Sequence, residues 1–232
     1  PAANGQRAAI LQNLGVEPRK KLALLLGQVA VDSVVLLDSP VFADMKDFIV
    51  TTAEIFADYP DWQLVVRLHP AEEMWHDNVT LGRLEEWEAP ANCTIVHSRQ
   101  ANTYDLMRES DLGLTLCSQA GLEMLSMGKP VVTAGRAFYS GKGFTFDVPS
   151  RGVYPAVLRE ALSNPMLTDT AREGVEMLLY HLIFEHLVPF ERETLEITPQ
   201  AAETLVTKGP FRGLASQQKA TEAKPASAFV SA

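Results

Sequence analysis

The feature that most constrains this chain is a repeated alternation: a short apolar run, a turn signal, then a stretch with helical spacing. The runs are Lys21 to Leu26, Trp62 to Leu68, Thr94 to Val96, Leu112 to Leu116 and Val131 to Ala134. Runs rich in Leu and Val suit strands buried on both faces, and intervening helices supply that cover. Helices are predicted at Arg7–Leu14, Val41–Tyr59, Asn78–Glu88, Thr103–Glu109 with Asn102 as cap, Gln119–Met127, Tyr154–Leu162 and Thr170–Leu187. The expected fold is α/β, a doubly wound parallel sheet over residues 20–164. A linker helix over residues 1–19 precedes it, and C-terminal helices over 165–207 and a disordered tail over 208–232 follow. No second sheet is expected.

Composition narrows the partners. With 20 Lys plus Arg against 29 Asp plus Glu, the net charge of −9 opposes binding to a nucleic-acid backbone. Two cysteines, Cys93 and Cys117, make neither a disulfide framework nor a zinc ribbon, and a cytoplasmic setting is expected. The most apolar stretch, Val175 to Phe190, is broken by Glu176, His181, Glu185 and His186, so no transmembrane segment is expected. A chain that starts at Pro1 is expected to begin inside a longer one.

In an open parallel sheet the chemistry collects where strands end, because helix N-termini there aim free N–H groups into a crevice. No segment reads GxGxxG or GxxxxGK[ST]. After the fourth strand, Ser118 is either an ordinary N-cap or, with the N–H groups that follow through Gln119 and Gly121, a phosphate holder. Glu123 has no capping duty, since a capping box would place its carboxylate at Gly121, and so it is a solvated Glu or a partner for ribose hydroxyls. His69, before Pro70, ends the second strand where an imidazole reaches a phosphate or simply lies exposed. Arg136 and Lys142 in the glycine loop suit an anion, while Cys117 suits packing. The segment His181 to His186 matches neither HExxH nor HxxEH; no metal and no cofactor are expected.

Four segments in this order, LLLGQVAVDSVVLLDSP, LHP, YDLMRESDLGLTLCSQAGLEMLSMGKPVV and GRAFYSGKGFTFD, resemble the capsule polysaccharide biosynthesis and export proteins. That family includes bacterial β-Kdo transferases that use CMP-Kdo, and the resemblance covers Lys20 to Pro149. It implies the nucleotide-binding, C-terminal domain of a GT-B-like glycosyltransferase, with a second domain from the same chain enclosing the donor. It implies further that His69 and Ser118 approach the CMP phosphate and that Glu123 holds the ribose. Gln28 and Asp32 would then lie at the interdomain crevice, with Asp32 the nearest catalytic carboxylate, and the loop carrying Arg136, Tyr139 and Lys142 would flank the sugar. Two departures stand out: Ser118 follows Cys117 where related sequences often have a hydroxyl pair, and Ala30-Val31 replaces acidic residues. The acceptor would be a glycan or glycolipid, and the chain would sit in the cytoplasm or peripherally at the inner membrane. Competing readings are a CDP-polyol-type phosphotransferase and a noncatalytic nucleotide-binding module of polysaccharide export.

Overall fold

The computed structural model describes residues 9–186, apart from 18, 38, 75–79, 81–83, 85 and 98, together with 190, 191, 196 and 197. Six parallel strands form one sheet: β1 (Lys21–Leu26), β2 (Trp62–Arg67), β3 (Cys93–Val96), β4 (Leu112–Thr115), β5 (Val131–Thr133) and β6 (Phe146–Asp147). Their spatial order is β3-β2-β1-β4-β5-β6, the doubly wound arrangement, so the α/β expectation stands. All of β2, all of β4 and five of the six residues of β1 are buried, Gln63 and Arg67 of β2 included, as a sheet covered by helices on both faces requires.

The α-helices with both ends described are α1 (Ser33–Leu37), α2 (Met45–Phe56), α3 (Ala71–Met74), α4 (Thr103–Glu109), α5 (Gln119–Ser126), α6 (Tyr154–Ser163) and α7 (Asp169–Tyr180), and residues 9–13 are helical as well. Helix α2 is shorter than the expected Val41–Tyr59. Asp44 adopts an extended backbone and its carboxylate accepts from the Asp47 N–H at 2.8 Å, which starts the helix there. Phe42 therefore precedes the helix and packs edge-on against Tyr154, ring centroids 5.0 Å apart. At the other end the Asn92 amide donates to the carbonyls of Phe56 at 2.6 Å and Tyr59 at 3.1 Å, closing the helix ahead of Pro60. Asn102 caps α4 as expected, accepting from the Tyr104 N–H at 2.9 Å.

Helix α1, helix α3 and strand β6 are absent from the sequence reading. The helix expected over Asn78–Glu88 falls largely outside the described residues, as does the tail over 208–232. Thr170–Leu187 is not one α-helix: α7 ends at Tyr180 and His181–His186 is π-helical. There the Tyr180 and Phe184 rings lie 5.0 Å apart and His181 Nδ1 is 2.7 Å from Glu185 Oε2. A two-stranded antiparallel ribbon, β7 (Phe190–Glu191) with β8 (Glu196–Ile197), corrects the expectation of no second sheet. Its strands are too short to carry an apolar run. The chain divides into two compact units, residues 1–176 and residues 177–232, and the six-stranded sheet lies wholly in the first. Among the described residues no helix is long and apolar enough to cross a membrane.

Candidate functional site

Strands β1 and β4 are neighbours although β2 and β3 come between them in sequence, so the loops leaving these two strands part and open a crevice at the carboxyl edge. The parting is bridged by Gln28. Its Oε1 accepts from the Cys117 N–H at 2.9 Å and from Thr115 Oγ1 at 3.3 Å, and its Nε2 donates to Cys117 Sγ at 3.4 Å. Gln28 thus spends its amide on the opposite loop, which makes it a tie between the walls. Just before it, Gly27 donates to the Arg67 carbonyl at 2.8 Å, and a Cβ there would come 2.7 Å from that same oxygen. Only glycine lets β1 and β2 end this close together.

Ser118 is the N-cap of α5: its Oγ accepts from the Ala120 N–H at 3.2 Å, and its own N–H donates to Thr115 Oγ1 at 3.1 Å. The Ser118 carbonyl accepts from the Gly121 N–H at 3.0 Å and from the Tyr139 hydroxyl. These bonds engage the serine backbone and the Ala120 and Gly121 amides, and Gln119, first in the helix, lines the crevice beside Ser118. Tyr139 is fully buried, and burial foremost, then Cys117 and Asp147, pushes its phenol above the ordinary value. It props the cap from behind. A Cβ at Gly121 would sit 2.2 Å from the Tyr139 oxygen, so Gly121 is there for that contact.

His69 follows β2, and its Nδ1 accepts from the Ala71 N–H at 3.1 Å. An imidazole whose Nδ1 is an acceptor carries its proton on Nε2, which leaves Nε2–H as a donor. His69 and Ser118 stand between two adjoining cavities and line both. The larger, about 470 Å³, is also lined by Gln28, Asp32, Gln119, Arg136 and Phe138. The smaller, about 270 Å³, takes Glu123, Arg67, Thr103 and Tyr104 into its wall.

Seven of the residues singled out in the sequence therefore converge: Gln28, Asp32, His69, Ser118, Gln119 and Arg136 around the larger lobe, with Glu123 on the smaller. Gly121, Tyr139 and Lys142 line neither. Gly121 and Tyr139 are buried against each other, and Lys142 lies exposed farther along the glycine loop, whose Gly141 N–H is held by Asp147 Oδ2 at 3.0 Å. Asp32 has a structural duty: its Oδ1 accepts from the Val34 N–H at 3.1 Å at the start of α1. The Glu123 carboxylate and the Arg136 guanidinium make no hydrogen bond or ion pair among the described residues, so both remain for a ligand. Among the described residues no cluster of three or more His, Cys, Asp or Glu could hold a metal ion. The sequence reading passed over Thr115, Phe138 and Tyr104. A threonine ending a strand one loop before a serine cap is a signal for the first, whereas nothing in residue spacing marks the exposed rings.

Residues 2–169 match the family described as capsule polysaccharide biosynthesis protein. The chain belongs to that family. This capsule-biosynthesis chain also resembles solved structures. One is the Thermosulfurimonas dismutans KpsC, beta Kdo 2,7 transferase, at 19% identity over 89% of this chain and 62% of that one, with a TM-score of 0.53. Another is a variant of the wall teichoic acid polymerase TagF, at 10% identity over 93% of this chain and 49% of that one, with a TM-score of 0.50. Both likenesses are of fold, and the fold is that of GT-B glycosyltransferases. The chain spans about three fifths of the KpsC chain and half of the TagF chain. None of the curated proteins matches it significantly by sequence.

Proposed function

We propose that this capsule-family chain is the donor-binding half of a glycosyltransferase and that it takes a CMP-activated sugar of the Kdo class at the two-lobed crevice. The observation that carries the reading is convergence: an imidazole donor, a helix N-cap and a carboxylate with no partner among the described residues arrive from the ends of β2 and β4 and from α5 at one opening. His69 Nε2–H, the Ser118 hydroxyl and the Gln119 amide take the phosphate, and Glu123 accepts from the ribose hydroxyls. The sugar occupies the larger lobe, where Arg136 supplies positive charge and Gln119 further donors.

Transfer breaks the bond between the anomeric carbon and the CMP phosphate oxygen and forms one to an acceptor hydroxyl oxygen, whose proton must leave. Donors fixed at the departing phosphate stabilise the charge that develops there, and they work best with water kept out. Asp32 is the carboxylate proposed to take the acceptor proton: its Oδ1 holds α1, and Oδ2 has no partner among the described residues. A second domain is proposed to close the crevice and present a glycan or glycolipid acceptor, in the cytoplasm or at the inner membrane face.

Calorimetric titration with CMP, CDP and UDP tests the reading. CMP is expected to bind most tightly. Tighter binding of CDP would favour a CDP-polyol donor, and failure of all three to bind would overturn the nucleotide assignment.

A further inference from the structure

We propose that the smaller lobe is a nucleobase slot and that the Tyr104 ring is its stacking wall. The inference rests on the nucleotide reading above and adds the residue that reads the base. The lobe holds about 270 Å³, and its lining joins apolar Leu26, Pro70 and Met107 to polar His69, Thr103, Ser118, Glu123 and the buried Arg67. A slot lined this way suits a flat heterocycle, whose faces meet apolar side chains and whose edge atoms meet polar ones, whereas sugar hydroxyls each demand a partner. The larger lobe, with Asp32, Gln119 and Arg136, offers those partners instead.

Tyr104 is 49% exposed, unusual for a large ring beside a cavity, and it makes no ring contact or side-chain hydrogen bond among the described residues. Its backbone is nonetheless fixed, because its N–H donates to Asn102 Oδ1 at 2.9 Å in the first turn of α4. A base laid on that ring would cover apolar surface on both partners at little cost in ordering. The division of groups between the lobes suits a nucleotide. His69 and Ser118, shared by both lobes, would serve the phosphate, and within the smaller lobe Glu123 would serve the ribose while Leu26, Pro70, Met107 and Tyr104 would serve the base.

The test compares CMP with ribose 5-phosphate, which keeps the sugar and phosphate but lacks the base, on the full chain by calorimetry. Wild type is expected to favour CMP by about tenfold or more, the range stacking on one aromatic side chain supplies. Tyr104→Ala should lower CMP affinity about tenfold while leaving ribose 5-phosphate within about twofold, and Tyr104→Phe should restore CMP binding. Unchanged CMP binding in Tyr104→Ala, or equal loss of both ligands with an unaltered thermal melt, would overturn the slot while leaving the nucleotide reading intact. Wild-type protein that binds neither ligand, or a CMP affinity indifferent to Glu123→Ala, would overturn the underlying reading and the slot with it.

Discussion

Ser118 is held from three sides, by Thr115 Oγ1, by the Tyr139 hydroxyl and through its own cap bond to Ala120, so what it offers a ligand depends on residues that never touch one. Tyr139→Phe removes one buried hydrogen bond and is expected to cost about 1 kcal/mol of stability. Because burial keeps this phenol protonated well beyond neutral pH, the effect should be constant across the physiological range. Gly121→Ala is expected to be worse, about 1–3 kcal/mol, since its Cβ would meet the Tyr139 oxygen at 2.2 Å; urea midpoints of the two variants check the order. At the ligand side, Ser118→Ala or Glu123→Ala should weaken CMP binding roughly tenfold to a hundredfold, each removing a charge-assisted hydrogen bond; Glu123→Ala should leave the melting temperature unchanged, whereas Ser118→Ala also loses the cap bond to Ala120 and should cost about 1 kcal/mol of stability. Unchanged affinity in both variants would remove these residues from the site.

At the scale of elements, one clamp ties α2 to the turn before α6: Arg151 grips Asp47 with both terminal nitrogens and lies over the Phe42 ring at 5.2 Å. The Arg151 hydrogen bond comes first among the causes that hold the Asp47 carboxyl below its ordinary value of 3.8. A folded-state value below the unfolded one means that the clamp's stabilisation is complete above the unfolded value and is lost as pH falls through the lowered one. Both partners are partly solvated, so the gain is under about 1 kcal/mol. Arg151→Ala should flatten that acid limb in urea midpoints taken between neutral pH and pH 2, with little else changed. Elements such as β1, β4 and α5 can be read from sequence because burial on both faces, or an unambiguous cap, writes itself into residue order. Helix α1 cannot be: Val35 alone is buried while Val34, Leu36 and Leu37 are exposed, so its apolar residues trace no periodic buried face. Within the site, Ser118, His69 and Glu123 were open to inference because their backbone positions alone aim them at the carboxyl edge. Gly121 and Tyr139 share the same segments yet face inward, a matter of packing that proximity in sequence does not record.

At the scale of the whole molecule, the one parallel sheet among the described residues supplies one wall of the crevice, and the proposed sugar transfer needs an opposite wall to present the acceptor and exclude water. The 232-residue chain is therefore expected to bind CMP while leaving CMP-Kdo intact in the presence of a lipid-linked acceptor. Sugar transfer by this chain alone, lost in Ser118→Ala, would show that no further domain is required. The Gln28 tie bears on how such a ligand arrives. Because one side-chain amide already fastens the two loops where the strand order reverses, the proposed nucleotide would dock into a receptor whose shape exists beforehand. Stopped-flow mixing should then show a single phase whose rate rises in proportion to nucleotide concentration, with no plateau from a slow rearrangement. Gln28→Ala, by letting the loops drift apart, should introduce that plateau and convert a lock awaiting its key into a hand that must close.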